Sequence, residues 1–140
     1  MTNFKYGDIT EKIIGAAFRV HAELKNGYQE LIYQRALALE FIDAGLQFNR
    51  EFNMPIYYKG KRIGTRRVDF FICKLISVEI KAVSKLVPEH ITQALNYLEA
   101  YNIEVGLLIN FGSNSLEVHR LTNKKYKPIV ETINPINPIS

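Results

Sequence analysis

Two stretches near the start of the chain repeat apolar residues every three or four positions. Ile13, Ala17, Val20 and Leu24 stand at i, i+4, i+7 and i+11, one face of a helix. Asp8, with Glu11 three residues on, predicts the helix start as a capping box. Asn26-Gly27 predicts its end through left-handed cap chemistry. A second helical run, rich in Leu, Ala, Glu and Ile, covers about residues 29–44, and Gly45 stops it. The pattern then shifts to alternation. Phe48, Phe52, Met54, Ile56 and Tyr58 mostly alternate with polar residues, which predicts a strand. Lys59-Gly60-Lys61 predicts a hairpin turn, and Ile63, Val68, Phe70 and Ile72 mark the return strand. Residues 76–82 form a third strand. Pro88 opens a third helix at a position where proline is tolerated, with Ile91, Leu95 and Leu98 as its apolar stripe. Residues 105–109 are continuously apolar, the signature of a buried strand. After the turn Gly112-Ser113-Asn114-Ser115, residues 116–121 make a last strand. The order helix, helix, three strands, helix, strand, strand predicts an α/β domain.

Composition narrows the class. The chain has 140 residues, enough for one domain with a sizeable core, and 47% apolar against 23% charged residues is an ordinary globular balance. We place the domain at residues 1–123. Residues 124–140 begin basic, then fall into the simple run Asn134-Pro135-Ile136-Asn137-Pro138, which we expect to be a mobile tail. There is no internal repeat and no interdomain linker. A single cysteine, Cys73, excludes an internal disulfide framework and a cysteine-based zinc site. In an apolar strand it reads as a small buried hydrophobe. The polar opening Thr2-Asn3 gives no secretory signal pattern. No apolar run approaches the roughly 18 residues of a spanning helix. These features lead us to expect a cytoplasmic protein with no membrane partner. The formal charge of +4 suits a polyanionic partner without requiring one.

The chemistry concentrates in Asp69, Glu79 and Lys81, spaced Asp-x9-Glu-x-Lys among apolar, β-rich residues. Side chains on a strand alternate faces, so Glu79 and Lys81 share one face. Asp69, near the end of the preceding run, can project beside them. Two carboxylates offer hard oxygen ligands for Mg²⁺ or Mn²⁺. A neighbouring lysine can orient or deprotonate a water, or steady developing negative charge. That combination serves metal-assisted phosphodiester cleavage. The same trio also serves as a surface ladder in which opposite charges offset one another across a sheet.

Several blocks together resemble one family. Gly27-Tyr28-Gln29-Glu30-Leu31-Ile32-Tyr33 is a literal Gly-x-x-Glu-x-x-Tyr. Ile14-Gly15-Ala16-Ala17, Val20-His21, Tyr57-Tyr58-Lys59-Gly60, Val78-Glu79-Ile80-Lys81-Ala82-Val83, Gln93-Ala94-Leu95-Asn96-Tyr97-Leu98 and Gly106-Leu107-Leu108-Ile109-Asn110-Phe111-Gly112 follow in the family's order. Over roughly residues 9–121 the chain resembles the GxxExxY proteins, a branch of the PD-(D/E)XK nuclease superfamily. The resemblance implies a restriction-endonuclease-like fold. A mixed central sheet would be flanked by helices, with a core of helix, three strands, helix and strand. The first helix would be an addition and the last strand an extra edge. It also implies site roles: Glu30 as the acidic residue on the core helix that helps hold metal or water, Asp69 as metal ligand, Glu79 and Lys81 as the Glu-x-Lys pair, and Gln93 beside the active lysine.

Other residues carry two readings each. Glu30 can also simply favour the first turn of its helix. Tyr33 stands near Glu30 at i+3 and can line the site or fill the core. His21, on the apolar side of the first helix, can line the site or be hydrogen-bonded in the core. His90 shares a helix face with Gln93 and can touch a phosphate or sit in solvent. Three scattered histidines give no metal-ligand spacing. Lys59, Lys61, Arg62, Arg66 and Arg67 crowd the hairpin before Asp69. They can blunt a sheet edge or clamp a phosphate backbone leading to the metal site. Lys124, Lys125 and Lys127 can add non-specific attraction. The expectation is a divalent-metal nuclease acting on DNA or RNA. A homodimer would allow both strands of a duplex to be cut. The alternatives are a non-catalytic nucleic-acid-binding module on this fold and an interaction protein whose charged patch is structural.

Overall fold

A computed structural model describes residues 5–128 as three helices and five strands. They run α1 (Gly7–Leu24), α2 (Glu30–Asp43), β1 (Phe48–Tyr58), β2 (Lys61–Ile72), β3 (Ile76–Lys81), α3 (Pro88–Tyr101), β4 (Val105–Asn110) and β5 (Glu117–Thr122). The strands form one sheet in the order β1-β2-β3-β4-β5. All neighbours are antiparallel except β3 and β4, which are parallel and joined through α3. A parallel pair needs such a crossover, and α3 thereby covers the face opposite α1 and α2. The expected mixed sheet flanked by helices, with an added first helix and a final edge strand, is the architecture found.

Burial follows strand parity in β3, whereas β2 changes sides across Asp69, with Phe70 in the main core and Val68 in the cluster on the α3 side. Ile76, Val78 and Ile80 of β3 join Phe70 and Ile72 of β2 and Ile13, Ala17, Leu37 and Phe41 of the first two helices in the main core. Ser77, Glu79 and Lys81 therefore face the α3 side. There a smaller cluster gathers Met54, Val68, Leu98 and Ile103. Every residue of β4 is buried, as expected of a strand covered on both faces. Gly106 lets α3 lie close: a Cβ there would meet Leu98 Cδ2 at 2.8 Å and Ser77 Oγ at 2.9 Å.

Three local expectations need correction. Asp8 does not cap α1; Tyr6, in a left-handed conformation at φ 60°, is the capping residue and lends no side-chain bond. The helix also ends before Asn26, and Lys25 takes positive φ at 58° ahead of Gly27 at φ 120°. The Tyr33 hydroxyl binds the Lys25 carbonyl at 2.5 Å, so a tertiary contact fixes the stop. Cys73 is half-exposed and lies outside the strand. With Lys74 it makes the tight β2–β3 turn, at φ 53° and 57°, where apolar patterning ran past the strand end.

Part of the basic segment after β5 is held in place. Lys127 N–H donates to Asn102 Oδ1 at 3.0 Å, and Asn102 Nδ2 donates to the Lys127 carbonyl at 2.8 Å. Lys125 pairs with Glu99 at 3.4 Å. The proline-containing remainder of the expected tail lies outside the described residues. Among the described residues, no helix is long and apolar enough to cross a membrane.

Candidate active site

Asp69 stands where β2 parts from β3. The two strands pair only at Phe70↔Val78, Phe71↔Ser77 and Ile72↔Ile76. Beyond that fork the Asp69 carboxylate replaces the missing backbone acceptor, with Oδ2 accepting from Ile80 N–H at 2.7 Å. Its Oδ1 accepts from Gln34 Nε2 at 3.2 Å. The carboxylate is thus fixed from the sheet and from α2. Gln34 is buried, and its Oε1 has no partner among the described residues. It was not among the expected site residues. Its signal was the i+4 spacing from Glu30, which puts both on one helix face.

Glu79, on the neighbouring strand, is drawn into the same cluster. Burial first, and the Asp69 carboxylate second, push its pKa up to about 8, against the pull of Arg66 and Lys81. Glu79 Oε1 accepts from Arg66 Nη1 at 3.1 Å. The Arg66 guanidinium lies 4.0 Å from the centre of the Tyr97 ring, which in turn stacks on Tyr101 at 5.8 Å. Arg66 is therefore half-buried in the site, unlike the open cations of its hairpin. Burial also pushes the Tyr101 hydroxyl up.

Lys81 follows Glu79 by two residues and shares its face. Among the described residues its amine makes no hydrogen bond or ion pair, although it lies near enough to favour ionisation of both Glu30 and Glu79. A small cavity between β3 and α3 is lined by Arg66, Glu79, Lys81, His90, Gln93 and Tyr97. The structure thus brings Gln93 and His90 to Lys81. His90 Nδ1 accepts from Val87 N–H at 3.1 Å at the start of α3, so a neutral ring carries its proton on Nε2. Glu30 stands at the exposed rim, on the first turn of α2. Desolvation raises its pKa, Lys81 lowers it and Asp69 raises it.

Tyr33 and His21 go elsewhere. Tyr33 is fully buried, stacked on Phe111 at 4.7 Å, and its hydroxyl also accepts from Tyr28 N–H at 3.2 Å. It locks the loop that presents Glu30. His21 Nε2 bonds the Ser113 carbonyl at 3.0 Å and ties α1 to the loop after β4. Both take the core role rather than lining the cavity. Lys59, Lys61, Arg62 and Arg67 are exposed on the β1–β2 hairpin, where Arg67 pairs with Glu51 at 3.6 Å.

The donor set bears on metal. Among the described residues, no three His, Cys, Asp or Glu side chains are grouped to hold one ion. Asp69 and Glu79 nevertheless set two hard oxygen donors side by side. The upward push on Glu79 reports burial and like charge that a divalent cation would offset. The pair fits such an ion, with Glu30 standing outside it.

Among curated proteins, none matches the chain. The crystal structure of SSO0001 aligns with a TM-score of 0.46 at 23% identity, over 82% of this chain and 65% of that one. The chain thus spans just under two thirds of that protein. The sequence profile of the PD-(D/E)XK nuclease superfamily matches residues 7–121, from the start of α1 to within one residue of the end of β5. With that match, and with Asp69, Glu79 and Lys81 gathered at the fork of its sheet, the chain belongs to the PD-(D/E)XK nuclease superfamily.

Proposed function

We propose that the protein is a divalent-metal-dependent nuclease that hydrolyses phosphodiester bonds of DNA or RNA. The observation that carries this reading is the meeting of Asp69 with Glu79 and, beside one small cavity, of Glu79 with a Lys81 that has no partner among the described residues. Asp69 and Glu79 would hold Mg²⁺ or Mn²⁺, with Glu30 reaching it through water. The ion, when bound, supplies charge neutralisation at the phosphate and a more acidic water. The protein's own residues do the positioning. Ile80 N–H and Gln34 fix the Asp69 carboxylate. Lys81 Nζ orients the attacking water or takes its proton, and Gln93 sits beside it. The exposed Lys59, Lys61, Arg62 and Arg67 draw the polyanion toward the cleft.

One contact favours a non-catalytic reading. Arg66 already neutralises part of Glu79, as a structural ion pair would. The test is an incubation of the purified chain with single-stranded, duplex, hairpin and flap DNA and RNA, with Mg²⁺, Mn²⁺ or EDTA. The nuclease reading expects cutting that EDTA stops. Lys81→Ala should keep affinity within a few fold while losing roughly 10²- to 10⁴-fold in rate. Glu79→Ala should lose metal binding and cleavage together. A native chain that binds these substrates and cuts none, with or without metal, makes the binding module the better account.

A further inference from the structure

The β1–β2 hairpin outruns the sheet. β2 spans Lys61–Ile72 but pairs with β3 only at its last three residues, so beyond Asp69 its strand partner among the described residues is β1 alone. Its tip exposes large apolar surface: Tyr57 is 56% exposed, Tyr58 60% and Ile63 66%. Small domains keep such residues scattered, and a cluster at the end of an arm marks a contact surface. Lys59, Lys61 and Arg62 stand among them, with Lys59 Nζ 5.5 Å from the Tyr58 ring centre. Aromatic faces interleaved with cations suit a polyanion that carries flat rings.

Strand parity links the tip to the cleft. Met54 and Arg66 are cross-strand partners, as are Ile56 and Gly64, and Tyr58 and Lys61. A bulge on β2 skips Ile63, so β1 keeps its alternation and Tyr58 lies on the face of Met54 and Arg66. Gly64 interrupts this face with open space: a Cβ built there meets nothing within 4 Å. The path from Arg66 to Lys61 is about 15 Å at the rise of a strand. That is a few nucleotides of strand.

We infer that the hairpin tip is a stacking platform for unpaired bases, so that the site receives a single-stranded segment rather than an intact duplex. This rests on the nucleic-acid reading of the site. Tyr58 offers its ring to a base on the face of Arg66 and Tyr57 on the opposite face of the ribbon, and Lys59, Lys61 and Arg62 follow the phosphates. In an intact duplex the base faces are covered by their neighbours, and only the cations would find partners. A two-stranded ribbon can also enter a major groove, and that alternative makes the opposite prediction.

The test measures anisotropy of labelled oligothymidine of about twelve nucleotides, and of a duplex of equal length, in EDTA so that nothing is cut. Tyr57→Ala with Tyr58→Ala should weaken single-strand binding about ten- to a hundredfold, with duplex binding and salt dependence unchanged. Tyr57→Phe with Tyr58→Phe keeps the rings and should bind as the native chain does. Replacing Lys59, Lys61 and Arg62 with alanine should weaken both ligands and flatten the salt dependence. Native-like single-strand binding by the double alanine variant overturns the inference, as does a selective loss of duplex binding. The two readings fail separately. A native chain that binds single strands through these tyrosines yet cuts nothing with Mn²⁺ overturns the nuclease reading alone. Cutting by the double alanine variant with native affinity overturns the platform alone.

Discussion

Two polar clusters sit at the ends of adjacent parallel strands, where Lys81 of β3 pairs in register with Asn110 of β4. Around Asn110 every group is used. Its Oδ1 accepts from Val83 N–H and Gly112 N–H, and its Nδ2 donates to the Val83 carbonyl and to Glu117. Glu117 in turn accepts from Leu86 N–H. One strand away the bonding is incomplete. Glu79 is held against burial and a second carboxylate, Lys81 has no partner among the described residues, and Gln34 leaves a buried oxygen unbonded. Native interiors satisfy nearly all their buried polar groups, so exceptions need a reason. The Asn110 cluster is finished by the chain itself, and the Asp69–Glu79 cluster is shaped to be finished by something else.

The scaffold side can be broken most severely. A Cβ on Gly112 would lie 2.4 Å from the Val83 carbonyl oxygen and 2.5 Å from the backbone around it, with no flexible side chain to yield. Asn110→Ala would strand the half-buried backbone groups of residues 83 and 112. We expect Gly112→Ala and Asn110→Ala each to lose at least ~3 kcal/mol in urea denaturation. Lys81→Ala, on the adjoining strand, should cost less than about 0.5 kcal/mol. Comparable losses in Asn110→Ala and Lys81→Ala would abolish the contrast.

The site side should show its strain as a pH dependence. Glu79 has a folded pKa of about 8, above its ordinary value of 4.5. The stability tied to its proton is complete below the unfolded value and is lost as pH rises through about 8. Without metal, stability should fall between those limits by up to ~5 kcal/mol. Glu79→Gln, which cannot ionise, should flatten that slope. A native chain equally stable at pH 5 and pH 8.5 without metal would remove the strain.

Metal should act in the opposite sense. Millimolar Mg²⁺ or Mn²⁺ should raise the melting temperature of the native chain, by an amount equal to about 2 kcal/mol or more where the ion is well above its dissociation constant. The rise should be larger at pH 8 than at pH 6, because the ion and the Glu79 proton compete. It should vanish in Glu79→Gln. An equal rise in that variant would place the ion elsewhere.

The sequence carried the alternating and helical patterns into the right elements, because most of them bury a periodic face. The three-residue Asp-Glu-Lys spacing placed Glu79 and Lys81 together by parity alone. It could not place Asp69 securely, since its position depends on β2 leaving β3 after Phe70, an event of pairing rather than of propensity. Gln34 escaped, and Arg66 was expected only as a phosphate-clamp cation, for a related reason. One looks like a surface glutamine on a helix and the other like one more cation in a basic run, until tertiary contact turns each toward a carboxylate. The end of α1 was misjudged because Tyr33, eight residues from Lys25, decides where that helix stops. The Gly-x-x-Glu-x-x-Tyr spacing divides its labour. Its tyrosine is scaffold and its glutamate faces the site.

The smallest expected effect tests the comparison most sharply. Asp69 accepts two hydrogen bonds, which a structural reading counts as stabilising. Asn at this position can keep the Ile80 N–H with its oxygen. Its amide nitrogen then meets Gln34, whose side chain needs only to turn over to offer the Oε1 that lacks a partner among the described residues. The pairing with Gln34 survives in number, and one negative charge beside Glu79 disappears. Asp69→Asn should therefore leave metal-free stability at pH 7 unchanged or raised by up to ~1 kcal/mol. It should also shrink the pH dependence attributed to Glu79 and abolish the thermal shift with Mn²⁺. If Asp69 is instead part of a finished network like that of Asn110, the same substitution will cost several kcal/mol and leave the pH dependence in place.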